Sequence, residues 1–161
     1  MTDRLVQHWT PTLKEAYGQA GEIGREGELL LLEALAKAGF LTIDHESDFA
    51  LQKAGIDISI KKPSWARYYT VDVKTGHSYI DKYGTLKINL SRDDREGWLY
   101  SKTKTSDRIW HVNLETGWSA FYDRKQMIDY IKTLPLDEGE ETIELTISQQ
   151  PKDLIRRMKL K

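Results

Sequence analysis

The sequence predicts an α/β fold with a mixed central β-sheet flanked by helices. Three observations carry this expectation. Residues 22–38 (EIGREGELLLLEALAKA) have the apolar spacing of a helix. Short runs rich in β-branched residues follow, the clearest being 56–60 and 68–74. A second helical segment, 124–133, then interrupts the strands before another strand begins.

The elements can be justified in order. Residues 10–20 read as a short helix with Pro11 near its start. In 22–38, Leu29, Leu32, Leu35 and Ala36 line one side, and Gly39 stands where a C-terminal glycine is expected. Residues 40–44 read as a strand. Strands 56–60 and 68–74 are expected to pair as a hairpin through 61–67, where Pro63 interrupts pairing. Strands are also expected at 86–90 and 109–114, with a turn at 115–117 returning the chain through 118–122. Asp123 can cap a helix over 124–133. An acidic loop, 137–144, leads into a strand at 142–147, and 151–160 reads as a short basic helix.

The chain of 161 residues is expected to form one domain, 1–161, with a core at about 21–134 and the basic helix appended. An apolar content of 39% and a charged content of 30% suit a globular chain. With no cysteine, disulfide scaffolds and thiolate zinc sites are excluded, and an intracellular location is expected. The first ten residues hold no apolar h-region and no segment is long enough to span a bilayer, so no membrane association is expected. Net charge is -1, yet the charge is segregated. Residues 21–57 are acid-rich, whereas 61–67, 82–108 and the tail PKDLIRRMKLK are basic. An acidic pocket beside basic surface can hold a cation and a polyanion together; a mixed solvated surface is the plainer reading.

The chemistry concentrates in AGIDISIKKPSWARYYTVDVKTG, residues 54–76. Residues two apart on a strand share a face, so Asp72 and Lys74 project together while Val71 and Val73 face the core opposite. If the hairpin forms, Asp57 comes close to Asp72. Two adjacent carboxylates repel, which raises one pKa. A divalent cation between them removes the conflict, and an all-oxygen ligand set suits Mg²⁺ or Mn²⁺. Such a site can hydrolyse a phosphodiester, with Lys74 orienting the attacking water or stabilising developing charge. Glu26 and Glu28 on the long helix are candidates to complete the shell, and they lie on different helix faces.

A helix glutamate, a strand aspartate and Asp-x-Lys on the next strand resemble the PD-(D/E)XK nuclease superfamily. The likeness rests on Glu28, Asp57, Asp72 and Lys74 and covers 21–76. The position of the proline in the family's name is Ile56 here. The spacing of Gly24, Glu28 and Gly39 is similar to the start of the archaeal-type Holliday junction resolvases, which selects Glu28 over Glu26. Small phage-encoded nucleases look similar too. The resemblance implies a restriction-endonuclease-like core and Mg²⁺ or Mn²⁺ held by Asp57 and Asp72. It also implies a further ligand from the Val73 carbonyl, with Glu28 supporting the metal or its water. It implies DNA as substrate, although nothing in the residues separates DNA from RNA. For a junction resolvase it implies a homodimer. Asp-x-Lys alone is weak: the chain also contains Asp123-Arg124-Lys125, which reads as a helix start.

Nucleic-acid contacts are expected from Lys61, Lys62, Trp65 and Arg67 in the hairpin, from His77 after the motif, and from Lys87. His77 and Tyr79 read equally as phosphate contacts or as plain loop residues, and for Lys82, Lys87, Arg92 and Arg95 solvated surface is the favoured reading of any single one. Trp98 is a further ring able to stack on bases; Trp110 and Trp118 lie in strands and read as core. His8, His45 and His111 lack ligand spacing and read as structural. The rival functions are a non-catalytic nucleic-acid-binding module and a phage-type interaction protein on the same fold. The first should have lost one of the four motif residues, and none is missing.

Overall fold

A computed structural model describes residues 19–76, 84–92, 95–97, 99–137 and 139–161. The expected helix over 10–20 lies outside the described residues except for Gln19 and Ala20, which open the long helix. His8, His77, Tyr79, Lys82 and Trp98, and the side chains of Arg92 and Arg95, also lie outside.

The elements run α1 (Gln19–Lys37), β1 (Leu41–Asp44), α2 (Phe49–Lys53), β2 (Ile58–Lys61), β3 (Tyr69–Thr75), β4 (Thr85–Asn89), β5 (Ser91–Arg92), β6 (Arg95–Glu96), β7 (Arg108–Val112), β8 (Trp118–Asp123), α3 (Arg124–Ile131), β9 (Thr142–Thr146) and β10 (Arg156–Lys159). The central sheet has six strands in the order β1-β2-β3-β7-β8-β10. Its β3–β7 pair is parallel and the other pairs are antiparallel, so the sheet is mixed as expected. β4 and β9 form a separate two-stranded sheet.

Alternation divides the central sheet into two faces. On one, Ile58, Ile60, Val71, Val73, Trp110 and Val112 pack under Leu31 and Leu35 of α1. On the other, Ile109, Ala120 and Tyr122 meet Met127 and Ile131 of α3 and the apolar side of the β4–β9 sheet. Asp123 caps α3 by accepting the Gln126 amide at 2.9 Å, which confirms Asp123-Arg124-Lys125 as a helix start.

Two expectations are corrected. The buried stripe of α1 is not Leu29, Leu32, Leu35 and Ala36. Leu29 is 49% exposed and Ala36 is exposed, while Gly27, Glu28, Leu31 and Leu35 are buried. The helix is seated by the small Gly27, and this rotates Glu28 inward with the two leucines. The second correction is the tail. Residues 151–160 do not form a helix; Arg156–Lys159 is a strand antiparallel to β8. Its apolar period is two, because Met158 and Leu160 pack on the α1 side of the sheet while Lys159 between them is exposed. Arg157 and Lys159 cover the ring of Trp118, at 4.5 and 5.1 Å from its centroid.

Candidate active site

β3 brings Asp72 and Lys74 to the face away from α1. Asp72 is 3% exposed, and its Oδ2 lies 3.3 Å from Lys74 Nζ. Asp57 sits one residue before β2, yet it stays in the ladder: its amide donates to Val71 O at 2.9 Å. Its carboxylate Oδ2 accepts the Val73 amide at 2.7 Å. The β2–β3 hairpin therefore fixes Asp57 beside Asp72, as the sequence requires.

Glu28 arrives from α1. A Cβ on Gly27 would lie 1.9 Å from Thr75 Oγ1 and 2.8 Å from Thr75 Cβ, so only glycine allows this crossing. With Gly21, Gly24, Gln52, Gly55, Val73 and Lys104, these four side chains line a cavity of about 320 Å³. Gly55, at φ 77°, brings backbone against Asp72: a Cβ there would lie 3.3 Å from Oδ2.

The electrostatics match a cavity crowded with acids. Burial, and then the charges of Asp72 and Glu28, hold the Asp57 carboxyl well above its usual range; the Val73 amide and Lys74 oppose this. Burial pushes Glu28 up to about 7, opposed by Arg25. Arg25 grips three carboxylates. It reaches Glu28 at 3.0 Å, Asp44 at 2.9 and 2.6 Å, and Glu46 at 2.7 Å. The hydrogen bond from Arg25 holds Asp44 below its usual value.

Beneath Lys74 lies a buried polar pair. His111 on β7 faces Lys74 in register, and its Nε2 is 2.7 Å from the Tyr122 hydroxyl. Burial lowers the His111 pKa to about 3, with the Lys74 charge adding to it, so the imidazole is neutral. Burial raises the Tyr122 hydroxyl, and the Asp72 charge adds to this. His45, also read as structural, bonds Ser59 Oγ at 2.8 Å.

The donor set bears on a cation. Gln52 Nε2 donates to the carbonyls of His45 and Glu46, at 3.0 and 2.8 Å. That orientation makes Oε1 the free end, and it is buried without a hydrogen-bond donor. Asp72 Oδ2 is likewise buried and accepts no hydrogen bond. Gln52 and Asp72, each with such an oxygen, line the cavity together with Asp57, and oxygen donors of this kind fit a hard divalent cation. Among the described residues, however, no group of three Asp, Glu or His side chains is gathered closely enough to hold a metal. One Glu28 oxygen is taken by Arg25.

The expected nucleic-acid contacts that fall among the described residues do not converge on this cavity. Lys62 and Trp65 line a second cavity at the closed end of the hairpin. Arg67 pairs with Asp107 at 3.1 Å and covers the Tyr69 ring at 4.1 Å. Lys61 ends β2, and Lys87 lies exposed on β4, opposite Glu144. Trp110 is core, stacked on Phe121, while Trp118 is half-buried.

Sequence reasoning missed Arg25, Gln52 and Lys104. Arg25 had a signal, because it stands three residues before Glu28 and such pairs meet on a helix. Gln52 and Lys104 had none; Lys104 comes from a distant loop, and its Nζ donates to Lys53 O at 2.9 Å.

No family model matches this chain, and no curated protein matches it. Among solved structures, a bacterial homing endonuclease, I-Ssp6803I, superposes with a TM-score of 0.52 at 14% identity. The alignment covers 84% of this chain and 86% of that one. A likeness at this identity speaks for the fold alone: the chain shares a mixed α/β core with that protein. Among the described residues no helix is long and apolar enough to cross a membrane.

Proposed function

We propose that the chain is a metal-dependent DNA endonuclease with a site of PD-(D/E)XK type. The observation that carries this is the Asp72 carboxylate: it is buried, its Oδ2 accepts no hydrogen bond, and it sits between Lys74 and Asp57. The ion pair with Lys74 is that buried oxygen's one described partner, and a buried carboxylate oxygen without a hydrogen-bond donor is uncommon where a group serves stability alone. The fold it shares with a homing endonuclease supports the same reading.

Asp57 and Asp72 would hold Mg²⁺ or Mn²⁺, with the Val73 carbonyl and Gln52 Oε1 available around them. A cation bound there neutralises charge on phosphoryl oxygens and acidifies water. Lys74 orients the attacking water and stabilises the developing negative charge. Glu28, titrating near neutrality, accepts a proton or anchors water. His111 stays uncharged beneath Lys74, so it adds no cationic repulsion to the site.

One observation favours a second reading, a nucleic-acid-binding module without catalysis. Arg25 occupies Glu28, and among the described residues no three acidic or histidine side chains are placed to hold a metal. Cleavage assays on duplex, single-stranded, flap and four-way-junction DNA and on RNA, with Mg²⁺, Mn²⁺ or EDTA, separate the two. The endonuclease reading predicts cleavage that needs metal and is lost in Asp72→Asn. Junction preference would make the enzyme structure-selective. Metal-independent binding with no cleavage of any substrate would establish the binding module.

A further inference from the structure

The closed end of the β2–β3 hairpin carries a cavity of about 300 Å³ that the carboxylate site does not use. Phe40, Trp65 and Phe121, each half-buried, wall it, and Lys62, Arg108 and Arg156 line it. It opens over the face of the sheet that carries Trp110 and Phe121, opposite Asp72 and Lys74. The rings are fixed in place. Phe121 stacks on Trp110 with centroids 4.0 Å apart, and Trp65 is held edge-on by Phe40 and Tyr69 at 5.7 and 5.2 Å.

The cations are the unusual feature. Among the described residues, no carboxylate lies within ion-pair distance of Lys62, Arg108 or Arg156. Two of them rest on ring faces instead. Lys62 Nζ is 5.4 Å from the Phe40 centroid, and the Arg108 guanidinium is 5.2 and 4.9 Å from Trp65 and Tyr69. Burial lowers the Arg108 pKa and the neighbouring Arg156 charge adds to this, against the opposing charges of Tyr69, Asp123 and Asp107. The two acids on the lining, Asp123 and Asp153, form no ion pair with these cations among the described residues, although Asp123 stands opposite Arg108 across β7 and β8 and its charge attracts the guanidinium. Asp123 is committed to capping α3. Asp153 is held at φ 66°, the one non-glycine residue at positive φ among the described residues. Such conformations persist where surrounding structure enforces them, often at ligand sites.

Aromatic walls stack any base, and arginines without carboxylates take phosphate. We propose that this cavity receives one unstacked nucleotide of the DNA, with its base among Phe40, Trp65 and Phe121 and its phosphate on Lys62, Arg108 and Arg156. The identity of the ligand as DNA rests on the nuclease reading. A volume of about 300 Å³ suits one nucleotide and excludes a duplex.

The test is binding of a 5′-phosphorylated oligothymidylate, followed by tryptophan fluorescence and by anisotropy in EDTA, so that cleavage plays no part. Wild type is compared with Lys62→Ala, Arg108→Gln and Trp65→Leu, and circular dichroism melts report folding. Lys62 is exposed, so its variant keeps the test valid if another fails to fold. Binding weakened tenfold or more in Lys62→Ala and Arg108→Gln, with dTMP competing better than inorganic phosphate, supports the cavity whether or not cleavage is seen. Wild-type affinity in both cation variants, or phosphate competing as well as dTMP, overturns it. If those variants bind normally while Asp72-dependent cleavage persists, the nuclease reading stands and the cavity proposal alone fails.

Discussion

Gly27 of α1 lies so close to Thr75 of β3 that a methyl group on it would sit 1.9 Å from the threonine hydroxyl oxygen. That contact sets the depth of the helix on the sheet, and Glu28 is the next residue. Gly27→Ala is expected to lift the helix and withdraw Glu28 from the cavity. Overpacking of this kind costs about 1–3 kcal/mol. Urea unfolding should show a lower midpoint, and cleavage should fall more than stability does. An unchanged midpoint would mean that Thr75 yields without moving the helix.

Arg25 ion-pairs with three carboxylates, Glu28, Asp44 and Glu46. Arg25→Met leaves them facing one another. The expected loss is about 1–3 kcal/mol at pH 8 and smaller at pH 5, where Glu28 is protonated. Melts at the two pH values check it; an equal loss at both would show that Glu28 is not part of the penalty.

The pH dependence of the metal-free fold follows from Glu28 and Asp57, whose pKa values are both raised in the folded state. Between an ordinary 4.5 and about 7, the folded chain keeps a proton on Glu28 that the unfolded chain has released. Stability from this source is therefore full below 4.5 and is lost as pH rises through about 7. Asp44 and Asp107 are lowered, so their contribution is present at neutral pH and is lost only in stronger acid. In EDTA, melting is expected to be higher at pH 5.5 than at pH 8. Over this interval Glu28 contributes about 2 kcal/mol, roughly 4–8 °C for a chain of this size. Glu28→Gln should shrink the difference, and Mg²⁺ at pH 8 should raise the melting temperature. A melting temperature that climbs from pH 5.5 to 8 in EDTA would contradict the assignment.

Lys74→Met is expected to leave cation affinity near wild type and to slow single-turnover cleavage by about 10²–10⁴-fold. Loss of cation binding in this variant would show that Lys74 organises the carboxylates rather than the water.

Much of the candidate site's geometry was legible in the sequence because strand alternation is a strict rule. Asp72 and Lys74 had to share a face, and the hairpin through 61–67 had to bring Asp57 alongside them. Helix phase is a looser rule. Leu29 and Leu31 are equally apolar, and only the tertiary contact at Gly27 selects which one is buried. The tail was misread because PKDLIRRMKLK has both helical and alternating character. The edge of β8, which is not local to it, decides for a strand. Lys104 reaches the cavity from a segment distant in sequence, and Gln52, only five residues before Asp57, reaches it from the short α2, where no spacing rule connects it to the motif.

The central claim is that Asp57 and Asp72 form a divalent-cation site, and electron paramagnetic resonance titration of Mn²⁺ tests it most directly. The account predicts that wild type and Lys74→Met bind the ion while Asp72→Asn loses it and remains folded. Equal Mn²⁺ binding by wild type and Asp72→Asn, or no binding by wild type at all, would contradict the account.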